Sequence, residues 1–186
     1  MKKLSVLLAV FFMAVLVKAQ QVNDPNAEVR DAKKFHVINI SSAFDVYLSQ
    51  SSNEAVAVSA SETKYRDRIK VEVKDGILHI RYDNEGLHWN SGNKKLKAYI
   101  SFKVIDKLIV SGACDVFITG SLKADELTIK QSGASDLKGK LDVKKLSVDL
   151  SGASDITVTV QPANWMWKPA APATSKGLTS LQKCAM

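Results

Sequence analysis

Five residues recur along the second half of this chain, and their recurrence restricts the fold more than any other feature of its 186 residues. Ser132-Gly133-Ala134-Ser135-Asp136 and Ser151-Gly152-Ala153-Ser154-Asp155 are identical; Ser111-Gly112-Ala113-Cys114-Asp115 differs at one position, and Ser41-Ser42-Ala43-Phe44-Asp45 is a looser copy. The three closest copies start 21 and 19 residues apart. Between them the sequence reads strand, short turn, strand. A period of about 20 residues with two short strands per unit predicts an all-β solenoid, a β-helix-like stack in which each repeat is one coil. The pentapeptide is then a corner, formed by Ser111, Gly112 and Asp115, by Ser132, Gly133 and Asp136, and by Ser151, Gly152 and Asp155. Glycine supplies a backbone conformation closed to other residues. Alanine and serine are small enough to stack at the inter-strand distance of about 4.8 Å. The serine and aspartate side chains are expected to accept hydrogen bonds from exposed turn N–H groups.

From Phe35 to Val160 apolar and polar residues alternate with almost no helical period, as in "FHVINISSAFDVYLSQ", "EAVAVSAS", "LKAYISF" and "DITVTV". Lys74-Asp75-Gly76 marks a hairpin turn, and residues 83–95 read as a polar loop. The first 19 residues are a different text: Lys2 and Lys3, an apolar run from Leu4 to Val17, and Val17-Lys18-Ala19 form a secretory signal peptide with cleavage after Ala19. The organisation expected is therefore a signal peptide (1–19), a lead-in (20–34), a β domain (35–160) and a separate tail (161–186).

The formal charge of +7 points to nucleic acid only until it is located. Residues 20–160 carry 20 basic and 19 acidic residues, so the body has no electrostatic footprint for phosphate backbones. Cys114 stands at a corner position that is serine in the later copies, and Cys184 lies in the tail, so no structural disulfide is expected. Stacked Asp115, Asp136 and Asp155 have the carboxylate spacing of a retaining glycosidase. They recur in every coil, however, whereas an active site is a single asymmetric constellation. A calcium ladder would need a shorter, more glycine-rich repeat. His36, His79 and His88 have no metal-ligand spacing, and neither a nucleophile elbow nor a phosphate loop is present. No catalytic residue, metal or cofactor is expected. The candidates for ligand contact are Tyr82, His88 and Trp89, in or beside the polar loop, where an aromatic face can meet a sugar ring.

"FHVINISSAFDVYLSQ", the hairpin "KYRDRIKVEVKDGILHIRYDN", "NKKLKAYISFK" and the repeated Ser-Gly-Ala-Ser-Asp together resemble the head GIN domain family of autotransporter adhesins, over roughly residues 24–160. The resemblance implies an exported, repetitive all-β domain at the cell envelope, and brings no catalytic or ligand residues with it.

After Val160 the text changes to "QPANWMWKPAAPATSKGLTSLQKCAM", which holds three of the four prolines and no acid. Trp and Met have one codon each, which makes a reading-frame test sharp. Shifted by two bases, Asn164–Lys168 forces Leu-Asp-Val-Glu, and the residues that follow permit Ala-Ser-Gly-Ala-Ser-Asp. That text overlays residues 146–155. The expectation is a frameshift near residues 159–163 that leaves a truncated stack, a disordered tail, and an uncapped strand edge at residues 155–160 open to self-association.

The sequence thus predicts an exported cell-envelope or surface protein, a non-catalytic adhesin-like or structural module whose ligand is a polysaccharide or a protein. The alternative is a carbohydrate-active enzyme or polysaccharide-binding protein on a β-helix. Partners exclude nucleic acid, and after signal cleavage the chain is not an integral membrane protein.

Overall fold

The computed structural model describes residues 24–85 and 93–160. The proposed signal peptide and the tail from residue 161 lie outside the described residues, as do His88 and Trp89. Along the chain come β1 (Glu28–Arg30), β2 (Val37–Ser42), β3 (Phe44–Gln50), β4 (Ala55–Ser59), α1 (Thr63–Arg66), β5 (Ile69–Lys74), β6 (Ile77–Tyr82), β7 (Leu96–Phe102), β8 (Lys107–Gly112), β9 (Asp115–Gly133), β10 (Asp136–Leu150) and β11 (Asp155–Val160). All eleven strands join one sheet that wraps into a nearly closed, barrel-like wall.

The wall contains two parallel ladders. One runs β7, β3, the start of β9, the start of β10, β11. The other runs β6, β2, β8, the end of β9, the end of β10. Each rung joins one strand from each ladder. In four rungs the joint is a pentapeptide; in the rung made of β6 and β7 it is the loop 83–95. Antiparallel strands close this end: β4 pairs with β7, β1 with β4, and β5 with β6 across the Asp75–Gly76 turn. Asp75 (φ 52°) and Gly76 (φ 74°) both take the left-handed conformation, which matches the twist of a two-residue hairpin.

The structure therefore departs from a uniform run of short-stranded coils. Strands β1, β4 and β5 are antiparallel, β1 and α1 were not foreseen, and the short strands expected after Asp115 merge into β9 and β10 of 19 and 15 residues. These long strands still bend. Inside–outside alternation slips at Thr119–Gly120 and again at Asp125–Glu126, where two successive residues face solvent. Lys144 and Lys145 sit over the second bend and pair with Asp125 (2.7 Å) and Glu126 (3.0 Å).

The pentapeptides line up in register. Ser42, Gly112 and Gly133 are successive partners, as are Asp45, Asp115, Asp136 and Asp155. The backbone ladder continues through the corner: the N–H groups of Ala113, Ala134 and Ala153 donate to the carbonyls of Ser42, Gly112 and Gly133, each at 2.8 Å. A Cβ on Gly112 would lie 2.1 Å from the Ser42 carbonyl oxygen; one on Gly133 would lie 2.3 Å from that of Gly112, and one on Gly152 2.5 Å from that of Gly133. Each corner glycine thus has a carbonyl where a side chain would be. Ser42 occupies the equivalent position at φ 98° because the rung beneath it has no such corner.

The hydroxyl chemistry differs from expectation. Ser135 Oγ donates to the carbonyls of Ser132 and Gly112 (both 3.3 Å), Ser154 Oγ to those of Ser151 (3.1 Å) and Gly133 (3.4 Å), and the Cys114 thiol to those of Ser111 and Ser42. The fourth residue of the pentapeptide is a donor to carbonyls, not an acceptor from N–H. Its slot explains the cysteine, which is buried and free. The aspartates are not turn acceptors among the described residues; Asp136 pairs with Lys138 at 3.3 Å.

Inside the wall, Ile38, Leu108 and Ile129 stack in one column and Val46, Val116 and Leu137 in another, all without measurable exposure. The last rung ends this burial: Val148 is 38% exposed and Leu150 41%.

A pair of substitutions separates the corner's steric demand from its backbone conformation. Gly133 (φ 89°) and Gly120 (φ 81°) have similar dihedrals, but a Cβ on Gly120 meets nothing within 4 Å. Gly120→Ala is expected to cost about 1 kcal/mol. Gly133→Ala should cost about 3 kcal/mol or more, lowering Tm by roughly 10 °C. Thermal melts showing equal losses would mean that corner contact does not set the glycine.

Candidate functional site

A space bounded by described residues lies beneath the corner column. Without a pentapeptide between β6 and β7, a pocket of about 680 Å³ opens against Ser42, Phe44 and Ala113. Its wall carries Tyr82, Asp45, Asn84 and Asn93, with Lys94, Lys95 and Lys97 at the entry to β7. Its lining holds three lysines and one aspartate, with Lys97 paired to Asp24 outside the lining, on a body that is otherwise nearly neutral.

Tyr82 faces inward from the end of β6 and is 6% exposed. Its N–H donates to Ser42 Oγ at 3.3 Å. Its hydroxyl is buried and has no hydrogen-bond partner among the described residues, and burial pushes the phenol up. A polar atom so placed costs free energy unless something accepts from it. Lys94 Nζ stands 5.0 Å from the centre of the Tyr82 ring, a cation–π contact. Lys95 holds φ 47°, unusual for a long side chain, and so turns the chain from the loop into β7.

Lys97 is held from behind. Its Nζ lies 3.6 Å from Asp24 Oδ2, which also accepts from the Tyr99 hydroxyl at 2.9 Å. Burial pushes the Asp24 carboxyl up, but hydrogen bonds from the Asn26 N–H and Tyr99, with Lys97 nearby, leave it below the usual carboxylate value. Burial and the bond to Asp24 raise the Tyr99 phenol well above its ordinary value. Outside the pocket, Tyr99, Tyr47 and Phe117 stack along the outer face of β7, β3 and β9, with ring centres 5.1 and 5.4 Å apart.

Of the residues singled out from sequence, Tyr82 lines the pocket. The nine corner positions form the column above it, with the aspartates in register and Asp136 alone of the three paired with a lysine. No group of three or more His, Cys, Asp or Glu among the described residues is placed to hold a metal ion. Ser42 and the three lysines escaped notice. The signals were there: serine in place of glycine in the first copy, and the run Asn93-Lys94-Lys95-Leu96-Lys97 between a polar loop and a strand.

The described residues form a rolled, largely parallel β wall with a column of stacked corners and a lysine-lined pocket at its base. Residues 34–164 match the family described as "Putative auto-transporter adhesin, head GIN domain". The chain belongs to the head GIN domain family. Solved structures share the fold: a putative adhesin from Bacteroides fragilis (25% identity, TM-score 0.62, covering 70% of this chain and 60% of that one) and another from Parabacteroides merdae (20%, TM-score 0.60, 71% and 55%). A putative lipid binding protein from Parabacteroides distasonis is also similar (20%, TM-score 0.54, 74% and 68%). The chain thus spans little more than half the length of the two adhesin structures. No curated protein matches it in sequence. Among the described residues no helix is long and apolar enough to cross a membrane.

The depressed Asp24 carboxyl gives a pH dependence of defined sign. Because its folded-state pKa is below the unfolded value near 3.8, its contribution to stability is present above that pH and is lost as pH falls through the folded value. In melts from pH 7 to pH 2, Asp24→Asn should lower Tm at neutral pH, and the gap to the parent should close below about pH 4. A gap that persists at pH 2 would remove Asp24 from this role.

Proposed function

We propose that this chain is an exported module at the cell envelope or surface that binds a polysaccharide or protein without catalysis, on a short solenoid-like stack of about 20-residue coils. The observation that carries this reading is the contrast between a chemically uniform repeat surface and one irregular, open, lysine-lined pocket at its closed end. Support for the stack comes from the parallel register of successive corners, and support for adhesion from the family. Residues 1–19 serve as the signal peptide in this reading, and the mature chain is then not an integral membrane protein. The alternative of a carbohydrate-active enzyme finds no acid pair that differs from its neighbours in the repeat. The mature chain from Gln20, applied to glycan arrays and immobilised extracellular proteins, should bind a subset saturably and leave bound polysaccharide uncut. Binding to none, or turnover of a polysaccharide, would overturn the reading.

The edge formed by the end of β10 and by β11 supports self-association. Val148 and Leu150 are partly uncovered there, whereas the opposite edge strand β5 carries Lys70, Glu72 and Lys74. Sedimentation velocity should show concentration-dependent dimers, and Val148→Lys with Leu150→Lys should leave monomers. A parent that stays monomeric at high concentration would exclude the edge as an interface.

A further inference from the structure

We propose that the open edge of β10 is the seat of one further rung, and that its occupant is the coil written in the shifted reading of codons 163–174. This goes beyond the self-association of the same edge by naming the segment the edge fits, and it rests on the parallel stack described above. Strand β9 covers one side of β10 as far as Leu150, whereas β11 covers the other side only from Asp136 to Leu141. Among the described residues no strand pairs with that second side over residues 142–150. Leu146, Val148 and Leu150 are in register with Leu127, Ile129 and Gln131 one rung below. The lower three are buried, while Val148 is 38% and Leu150 41% exposed. What the lower rung has and this one lacks is a layer on top.

The corner supplies the second observation. The N–H groups of Ser151, Ala153 and Asp155 donate to the carbonyls of Gln131, Gly133 and Ser135 at 2.9, 2.8 and 3.0 Å. One rung up, the matching acceptors are the carbonyls of Leu150, Gly152 and Ser154, and no further corner lies above them among the described residues. A segment that fits must bring apolar residues two apart and then a corner with glycine second, since main-chain bonds give such strand addition its affinity and alternate side chains its specificity. The shifted text does both. Asn164–Lys168 forces Leu-Asp-Val-Glu; the flanking codons permit Lys before it and Ala-Ser-Gly-Ala-Ser-Asp after it. Laid over residues 145–155, its Leu and Val cover Leu146 and Val148, its first Ala covers Leu150, and its Gly stands over Gly152. With one base restored ahead of codon 164, its corner starts 19 residues after Ser151, the same spacing that separates Ser132 from Ser151.

The test titrates the ¹⁵N-labelled mature chain from Gln20 with the peptide Lys-Leu-Asp-Val-Glu-Ala-Ser-Gly-Ala-Ser-Asp, and separately with the same peptide carrying alanine for its glycine. The first should shift the amides of residues 145–155 saturably. The second should bind roughly tenfold more weakly, because its Cβ would press on the Gly152 carbonyl. Val148→Lys with Leu150→Lys should abolish the shifts. A chain read from a gene with one base added ahead of codon 164 should melt higher than the parent and stay monomeric. The proposal falls if the peptide leaves these amides unmoved, if the alanine peptide binds as well, or if the restored chain melts no higher. A gene whose shifted reading does not spell the corner overturns it too. Parent dimers that ignore the peptide would remove the rung and leave self-association standing; a monomeric parent that takes up the peptide would do the reverse.

Discussion

Everything in this structure hangs on backbone meeting backbone at the corner. The carbonyl of one pentapeptide occupies the volume that a side chain on the next glycine would need, with virtual Cβ–oxygen distances of 2.1 to 2.5 Å. That contact locks the rungs into register, because a one-residue slip would drive a side chain into the carbonyl beneath and turn every inward residue outward. The apolar columns follow from it. Ile38, Leu108 and Ile129 face one another because the glycines a few residues away leave no other alignment.

The pocket follows from the same constraint, at the point where it is released. Where a corner has a corner below it, glycine is required; where it has none, serine is tolerated and space opens. Into that space the chain places lysines at the start of β7 and a tyrosine at the end of β6. The site is therefore the place where the repeat stops, with no special element needed to build it. Asp24, from the lead-in, ties Lys97 and Tyr99 together on the outer face of β7.

Much of the fold was legible in the sequence, because alternation and the repeat are both local. Each apolar run quoted from Phe35 onward falls on a strand, and Asp75–Gly76 makes its turn. What was not legible depends on pairing between distant segments. Nothing in "EAVAVSAS" says that β4 runs antiparallel to β7, since either direction satisfies the same alternation. The merging of strands into β9 was hidden because the bend at Thr119–Gly120 reads as a turn, although the ladder to β10 only skips residues 118–120 and resumes at Ser121. The serine was assigned to N–H groups on general turn chemistry, whereas the stack already satisfies those groups and leaves carbonyls to the hydroxyls. For the site, Tyr82 was found through its aromatic character. The lysines were missed because a basic run before a strand reads as an ordinary solvated face.

The order of rungs along the chain differs from their order in space. Strands β2 and β3 are made first, yet they lie between the rung of β6 and β7 on one side and that of β8 and β9 on the other. The earliest-made layer must therefore wait for two later ones, the second of which is finished only when about 119 residues exist. Assembly cannot creep upward from the amino terminus; it begins in the middle of the molecule and grows both ways, through loops long enough to slow it.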